Sequence, residues 1–219
     1  MADPGALVFR GEWDAGGVCF YQAFNDAIAD YALAHQRFGG PAFKPRRMTW
    51  IKPSFAWVLY RSGYARKHNQ TRILKVKLPH AAVAAILARC KCKDGGGGSE
   101  GRVQWDPARD LLAGDKREPR KMLRRRAIQI GMKGDLSELY VASAVSIEDV
   151  TALAHRVGAA HAAAQQKAKG GGGGGKACGG GHVHPAVAAL LPELPVERPY
   201  MPACARATLE RLGMLKAPS

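Results

Sequence analysis

The stretch RRMTWIKPSFAWVLYRSG, residues 46–63, contains a helix whose two ends are both marked in the sequence. Proline suits the first turn of a helix, so the helix is predicted to begin near Lys52–Pro53. It should end at about Arg61, because Ser62–Gly63 follow and glycine favours the left-handed conformation that stops helices. Helical spacing turns three of its apolar residues toward the core. These are Phe55, Val58 and Leu59.

The same stretch gathers cations and large rings at high density. Lys and Arg are rarely buried without a partner, yet the nearest acidic residues in sequence are Asp30 and Asp94. A bound anion is therefore expected to supply the counter-charge, and cations beside exposed rings favour a planar anionic ligand such as a nucleotide or a nucleic acid. A solvated basic face is the alternative that the sequence leaves open. The cations are Arg46, Arg47, Lys52 and Arg61, and the rings are Trp50, Phe55, Trp57 and Tyr60.

Outward from this stretch, hydrophobic patterns predict short strands mixed with helices. The predicted strands are Val18–Gln22, Arg72–Leu78, Arg102–Trp105 and Ala127–Gly131, and the predicted helices are Asp26–Gln36, Ala81–Arg89 and Ala203–Leu212. Leu136–Tyr140 fits either a helix or a strand. Ser146 is predicted to cap a long helix that begins with Ser146–Asp149. Because the elements follow no regular strand–helix–strand rhythm, we expect an α+β fold, a mixed short-stranded sheet flanked by helices.

Length and charge limit the class of protein. The chain has 219 residues, 47% of them hydrophobic, which is enough for one substantial domain with a core. Lys and Arg number 33 against 18 Asp and Glu, a formal net charge of +15. This excess of positive charge favours phosphate-rich partners, because binding releases the counterions condensed around phosphates. An inert basic surface and an anionic membrane surface are the alternatives.

The sequence carries no apolar run long enough to span a bilayer and no secretory signal at its start. We therefore expect a cytoplasmic or nuclear protein without a membrane partner. The five cysteines are odd in number and scattered, which favours free thiols. No metal site is predicted, since His182 and His184 stand alone in a glycine-rich segment.

Glycine runs divide the chain into predicted parts. Residues 1–17 are expected to form a partly flexible lead-in, residues 18–213 a single domain, and residues 214–219 a flexible tail. Within the domain, glycine-rich residues 94–101 and 168–182 are predicted to be flexible loops, because glycine runs bury no side chains and have high conformational entropy.

Five segments occur in an order that resembles a known family. They are VCFYQAFNDAIADYAL, RRMTWIKPSFAWVLYRSGY, RVQWDPARD, RAIQIGM and LPVERPYMP. Together they resemble the family called domain of unknown function 4291, from Cys19 to about Arg211 apart from the glycine-rich insertions. The resemblance implies one compact domain and carries no settled activity.

Polar residues at the ends of predicted strands extend the candidate site. Strand ends beside helix N-termini often meet ligands, although a helix cap and a packed tyrosine are the simpler explanation of the first three positions. The predicted ligand-binding residues are Tyr21, Gln22, Asn25, Arg46, Arg47, Thr49, Lys52, Tyr60 and Arg61. Three residues are candidates for catalysis, namely Gln129, Asp106 and Tyr60. Asp106 is the best carboxylate base, but with Pro107 it also predicts a turn in which it would only cap.

Two functions remain open at this point. In the first, the chain is an enzyme acting on a nucleotide or a nucleic acid, for example a transferase of ADP-ribosyl type that uses NAD. In the second, it is a non-catalytic RNA- or DNA-binding module that uses the basic run 117–126 and the strand 72–78. The cations expected to contact nucleic acid are Arg72, Lys75, Lys77, Arg124, Arg125 and Arg126.

Overall fold

A computed structural model describes residues 6–92, 99–109, 122–170 and 185–216. The strands are β1 (Arg10–Gly11), β2 (Trp13–Asp14), β3 (Gly17–Phe24), β4 (Thr49–Ile51), β5 (Arg72–Leu78), β6 (Cys90–Cys92), β7 (Gly101–Arg109), β8 (Met122–Met132), β9 (Ser146–Asp149) and β10 (Arg198–Pro199). The helices are α1 (Asp26–His35), α2 (Phe55–Ser62), α3 (His80–Ala88), α4 (Asp135–Ser143), α5 (Thr151–Gly170), α6 (Pro185–Ala188) and α7 (Arg206–Arg211), with a 3-10 turn at Leu191–Glu193. The predicted α+β class is confirmed.

Two four-stranded sheets form the framework, in the orders β2-β3-β5-β9 and β4-β8-β7-β6. Their strands pair antiparallel, apart from β6, which runs parallel to β7. The sheets meet where Tyr21 of β3 exchanges backbone hydrogen bonds with Lys52, just after β4. This junction fixes the end of β3 beside the stretch that the sequence singled out.

The core lies on both sides of the β3–β5 ladder. A larger apolar cluster joins α1, α3 and α4 to the two sheets, and a smaller one packs α2 and α5 against β3 and β5. The predicted core face of α2 is confirmed, since its three apolar residues are at most 2% exposed. They are Phe55, Val58 and Leu59.

Strand β5 shows the predicted contrast, because its apolar residues are buried and its basic residues are partly exposed. The helix predicted from Lys52–Pro53 begins at Phe55 instead, since Lys52 continues the backbone pairing of β4. Leu136–Tyr140 is helical, as part of α4.

The predicted helix start at Ser146 is wrong. Ser146–Asp149 forms β9, which pairs antiparallel with β5 and buries Ile147 against Val76. The helix α5 begins at Thr151, whose backbone N–H donates to the Asp149 carboxylate at 2.8 Å. Local capping signals cannot reveal this strand, because its partner lies about 70 residues away in sequence.

The predicted turn at Asp106–Pro107 is also wrong. Both residues lie within β7, and the pairing with β8 becomes irregular only between Pro107 and Arg109. Proline lacks the N–H that a ladder needs, so it occupies the point where the register shifts. Asp106 is therefore held on a strand and not at a turn.

The segments into which the sequence divides the chain are only partly described by the structure. Phe9 and Met214 are buried, although they lie in the predicted lead-in and tail. Helix α5 continues to Gly170, and Gly101 opens β7, so each predicted glycine-rich loop begins or ends inside a regular element. Residues 94–98 and 171–182 of these loops, and residues 117–121 of the basic run, lie outside the described residues.

Candidate functional site

A cavity of about 930 Å³ lies beside the junction of the two sheets. The end of β3, the strand β4, the helix α2, and the facing strands β7 and β8 line its wall, together with the segments before β4 and before β5. Its volume lies within the range of small-molecule binding sites in proteins. Of the predicted site residues, the cavity brings together Gln22, Asn25, Arg47, Thr49, Lys52, Arg61, Asp106 and Gln129.

Lys52 is the cation at the base of this cavity. Its side chain is 8% exposed, and its Nζ forms no hydrogen bond or ion pair within the described part of the chain. The Nζ lies 5.5 Å from the centre of the Trp57 ring. Burial, and next the nearby Arg61 guanidinium, lower the pKa of Lys52 to about 8. The ammonium group is therefore held at a cost that a bound anion would offset.

Arg47 and Arg61 reach the same cavity from two different elements. Arg61 lies in the last turn of α2, and Arg47 lies in the segment that leads into β4. Both side chains are exposed, so their charges remain partly screened by water. Together with Lys52 they make this wall of the cavity electropositive.

A polar chain connects the core to the cavity through Gln22. The Tyr140 hydroxyl donates to the Gln22 carbonyl oxygen at 3.1 Å, and the Gln22 amide donates to the Thr49 hydroxyl. Tyr140 is fully buried, so these hydrogen bonds fix the orientation of Gln22 from the core side of the cavity wall. The Thr49 hydroxyl keeps its own proton available as a donor toward the cavity.

A second polar cluster holds Asp106. The amide of Gln104 donates to one carboxylate oxygen of Asp106 at 2.7 Å, and the amide of Gln129 donates to the other. Gln104 and Gln129 face each other across the ladder of β7 and β8. The carboxylate is thus fixed by two neutral donors instead of a cation.

Aromatic rings form part of the cavity wall. Trp50 lies opposite Gly131 in the pairing of β4 with β8, and a Cβ on Gly131 would meet its ring at 2.7 Å. The missing side chain therefore lets the indole lie against the strand. Trp57 also lines the cavity, and its buried Nε1 has no hydrogen-bond acceptor within the described residues.

Three predicted site residues do not line the cavity. The hydroxyl of Tyr21 donates to Glu12 at 2.6 Å beside a second, smaller cavity of about 450 Å³. Arg46 pairs with Asp135 at 2.7 Å and with Glu138 at 2.9 Å, so the expectation that it lacks acidic partners is wrong. These partners are distant in sequence, which is why local spacing could not reveal them.

Tyr60 is the third predicted residue outside the cavity lining. The guanidinium of Arg109 lies 3.8 Å from the centre of its ring, at a stacking distance. The Tyr60 ring therefore contacts the end of strand β7.

The strand cations expected to contact nucleic acid are paired with carboxylates. Lys75 contacts Glu12 at 2.8 Å, and Lys77 contacts Asp14 at 2.7 Å. Arg72 contacts carboxylates of α1 and β9. By contrast, Arg124, Arg125 and Arg126 are exposed along β8.

The cavity also contains residues that the sequence analysis did not select. These include Phe43, Lys44, Met48, Asn69 and Gln70. They lie in irregular segments, where no period marks the side that faces a cavity. Gln104, which the sequence places two residues before Asp106 on the same face of β7, also lines the cavity.

Among the described residues, no three His, Cys, Asp or Glu side chains cluster as metal ligands would. None of the described helices combines the length and the apolar character that a transmembrane segment requires. A family model for a domain of unknown function, DUF4291, matches residues 9–200. No curated protein matches the chain in sequence. Because the family model covers most of its length, the chain belongs to the DUF4291 family.

Proposed function

We propose that this member of the DUF4291 family binds a nucleotide, whose phosphates contact Lys52, Arg47 and Arg61 in the larger cavity. The observation that carries the proposal is the buried ammonium of Lys52, which forms no ion pair with the described residues. Charged side chains are almost never buried without a partner, because leaving water costs several kcal/mol. Strongly shifted pKa values in a cavity are a recognised property of functional sites.

A phosphate group of a ligand would match the hydrogen-bond donors and positive charges of this wall. Arginine forks bind phosphate oxygens through paired N–H groups, and a lysine adds a compact point charge. The Thr49 hydroxyl lies beside the cations and can donate to a further phosphate oxygen. The rings of Trp50 and Trp57 supply apolar wall against which a base could stack.

The enzyme form of the proposal places the chemistry near Asp106. Its carboxylate, which the Gln129 amide holds, would accept from a hydroxyl of the ligand and so orient or activate that hydroxyl. ADP-ribosyl transfer from NAD is the reaction class that we propose to test first, since NAD presents a pyrophosphate, two riboses and two planar rings. Tyr60 has no part in this form, because it does not line the cavity.

A nucleic-acid surface is the competing function, and the exposed Arg124, Arg125 and Arg126 are what favours it. Against it, the cations of β5 are engaged in ion pairs. Surface binding would depend steeply on salt, because each neutralised phosphate releases counterions. Binding in the cavity should depend on salt only weakly.

The test is calorimetric titration and thermal shift of the whole chain with pyrophosphate, ADP, ATP and NAD at two salt concentrations. We expect one of these ligands to raise the melting temperature by about 5–10 °C at a hundred times its dissociation constant. Lys52→Met and Arg61→Gln should each weaken binding by about 10-fold to 100-fold, as expected for a lost charge-assisted hydrogen bond.

Two control variants separate the cavity from the surface. Arg37→Gln removes an exposed charge that does not line the cavity, and Lys75→Gln removes a cation of β5 that is already paired. Both should bind as the unmodified protein does. Failure of all four ligands to bind, together with salt-sensitive binding of RNA, would remove the nucleotide proposal and favour the surface.

A further inference from the structure

We infer that Asp106 binds the vicinal hydroxyls of a ribose, so that the cavity selects ribonucleotides over deoxyribonucleotides. The inference rests on the proposed nucleotide function. The cations would bind the phosphates of the nucleotide, and Asp106 would bind its ribose. A carboxylate repels phosphate, so its presence in an electropositive cavity requires a ligand with a second, hydrogen-donating region.

The geometry of Asp106 is that of a positioned acceptor. Gln104 and Asp106 are two residues apart on β7 and therefore project from the same face of the strand. Gln129 approaches from β8, and each amide donates to a different carboxylate oxygen. Rotation of the carboxylate is thereby prevented, as a site that discriminates by hydrogen bonding requires.

Acceptor capacity remains on both oxygens. A carboxylate offers about four lone-pair positions, and the two amides occupy one on each oxygen. Asp106 is partly buried and lines the cavity, and no described cation forms an ion pair with it. Two adjacent hydroxyl donors match the remaining positions, one for each oxygen.

Lys52 and Asp106 divide the cavity into two chemical regions. The Asp106 charge is close enough to raise the pKa of Lys52 slightly, yet the two groups do not form an ion pair. A nucleoside diphosphate has two matching regions. Its phosphates are anionic and would face Lys52, and its ribose hydroxyls can donate hydrogen bonds to Asp106. Acidic side chains on ribose hydroxyls are an established means of nucleotide recognition in other folds.

The amino group of a base is the other donor that a carboxylate could accept. The test distinguishes the two by titrating the whole chain with ADP, 2′-deoxy-ADP, 2′,3′-dideoxy-ADP, IDP and pyrophosphate. We expect ADP and IDP to bind alike, and each deoxy analogue to bind at least about 10-fold more weakly, because an acceptor that the bound ligand covers would lose its donor.

The variant Asp106→Asn adds a second measurement. We expect it to lose the preference for ADP over the dideoxy analogue while it binds pyrophosphate as tightly or more tightly, because a repulsive charge has gone. A merely structural Asp106 would instead weaken both ligands together. Glu148→Gln, which removes an exposed carboxylate of β9, is the matched control.

Equal affinities of the unmodified protein for ADP and dideoxy-ADP, with pyrophosphate still bound, would overturn the ribose inference and leave the nucleotide proposal intact. A loss of affinity for IDP with no loss for the deoxy analogues would assign Asp106 to the base and would also overturn it. Absence of binding by every ligand, pyrophosphate included, would overturn both. The comparison of natural ligands needs no variant, so it holds even where Asp106→Asn does not fold.

Discussion

Replacing Lys52 with methionine should make the protein more stable at neutral pH while it removes the proposed anion contact. Methionine has a similar length and volume, and it can pack against the Trp57 ring without a charge. Lys52 is 8% exposed and forms no ion pair with the described residues, and burial and Arg61 together outweigh the Asp106 charge, so the ammonium is held in the folded state at a cost.

The pKa of Lys52 gives the size of that cost. Folding lowers it from 10.5 to about 8, and each pKa unit corresponds to about 1.4 kcal/mol. The charged lysine therefore destabilises the fold by at most about 3.5 kcal/mol, or about 7–14 °C in melting temperature for a domain of this size. The full cost applies below pH 8.

The pH dependence has a defined sign. Between pH 8 and pH 10.5 the unfolded lysine retains a proton that the folded one has released, so the stability of the unmodified protein rises with pH. The advantage of Lys52→Met should shrink across this window and nearly vanish above it. Other groups titrate in both proteins and cancel in the difference.

Urea denaturation at several pH values between 6.5 and 10.5 measures this difference without adding salt. Lys91→Met is the control, because that lysine is exposed on β6 and its removal should change stability little at any pH. A Lys52→Met protein that is less stable at pH 7, or whose advantage does not change with pH, would refute the argument that Lys52 carries an uncompensated charge.

Three further changes test the supports of the site. Glu197 accepts a hydrogen bond from the Phe55 backbone N–H at 2.8 Å, and burial raises its pKa to about 7, so the protein should lose stability as pH rises from 4.5 to 7. Glu197→Gln keeps an acceptor and should flatten that slope in urea denaturation. Ser62→Ala should cost about 1–3 kcal/mol in the same assay, because the buried hydroxyl accepts from a backbone N–H that would be left unsatisfied. Gly131→Val should displace the Trp50 ring, which a Cβ would meet at 2.7 Å, and should both lower the melting temperature and change the Trp fluorescence. An unchanged emission spectrum would show that the indole does not lie on that glycine.

The sequence predicted those parts of the fold whose signals are local. The end of α2 is marked by glycine, and the C-cap Gly63 has a φ of 59°, in the left-handed region. The helix α1 is capped as predicted, with the Asn25 side chain accepting from the Ile28 backbone N–H at 3.0 Å. Both signals depend on residues within four positions of one another, so no tertiary contact is needed to recognise them.

Parts of the fold that depend on distant partners could not be predicted. Ser146–Asp149 has the composition of a helix start, and only the exposed edge of β5 makes it a strand. Arg46 has no acidic neighbour in sequence and still contacts two carboxylates of α4 in space. Among the predicted site residues, eight line one cavity because β3, β4, β7 and β8 converge there, and nothing in their spacing encodes that convergence.

The net charge of +15 by itself does not identify the site, because the cations of this protein differ in their surroundings. Those of β5 face carboxylates from neighbouring elements at 2.5–2.8 Å, so their field is neutralised locally. Arg124, Arg125 and Arg126 are exposed to water, which screens them. Lys52 is largely buried and forms no ion pair with the described residues, and an unpaired charge in that position lowers stability unless a ligand uses it. The free-energy cost of burying the Lys52 ammonium in one cavity is therefore a better indication of function than the net charge of the chain.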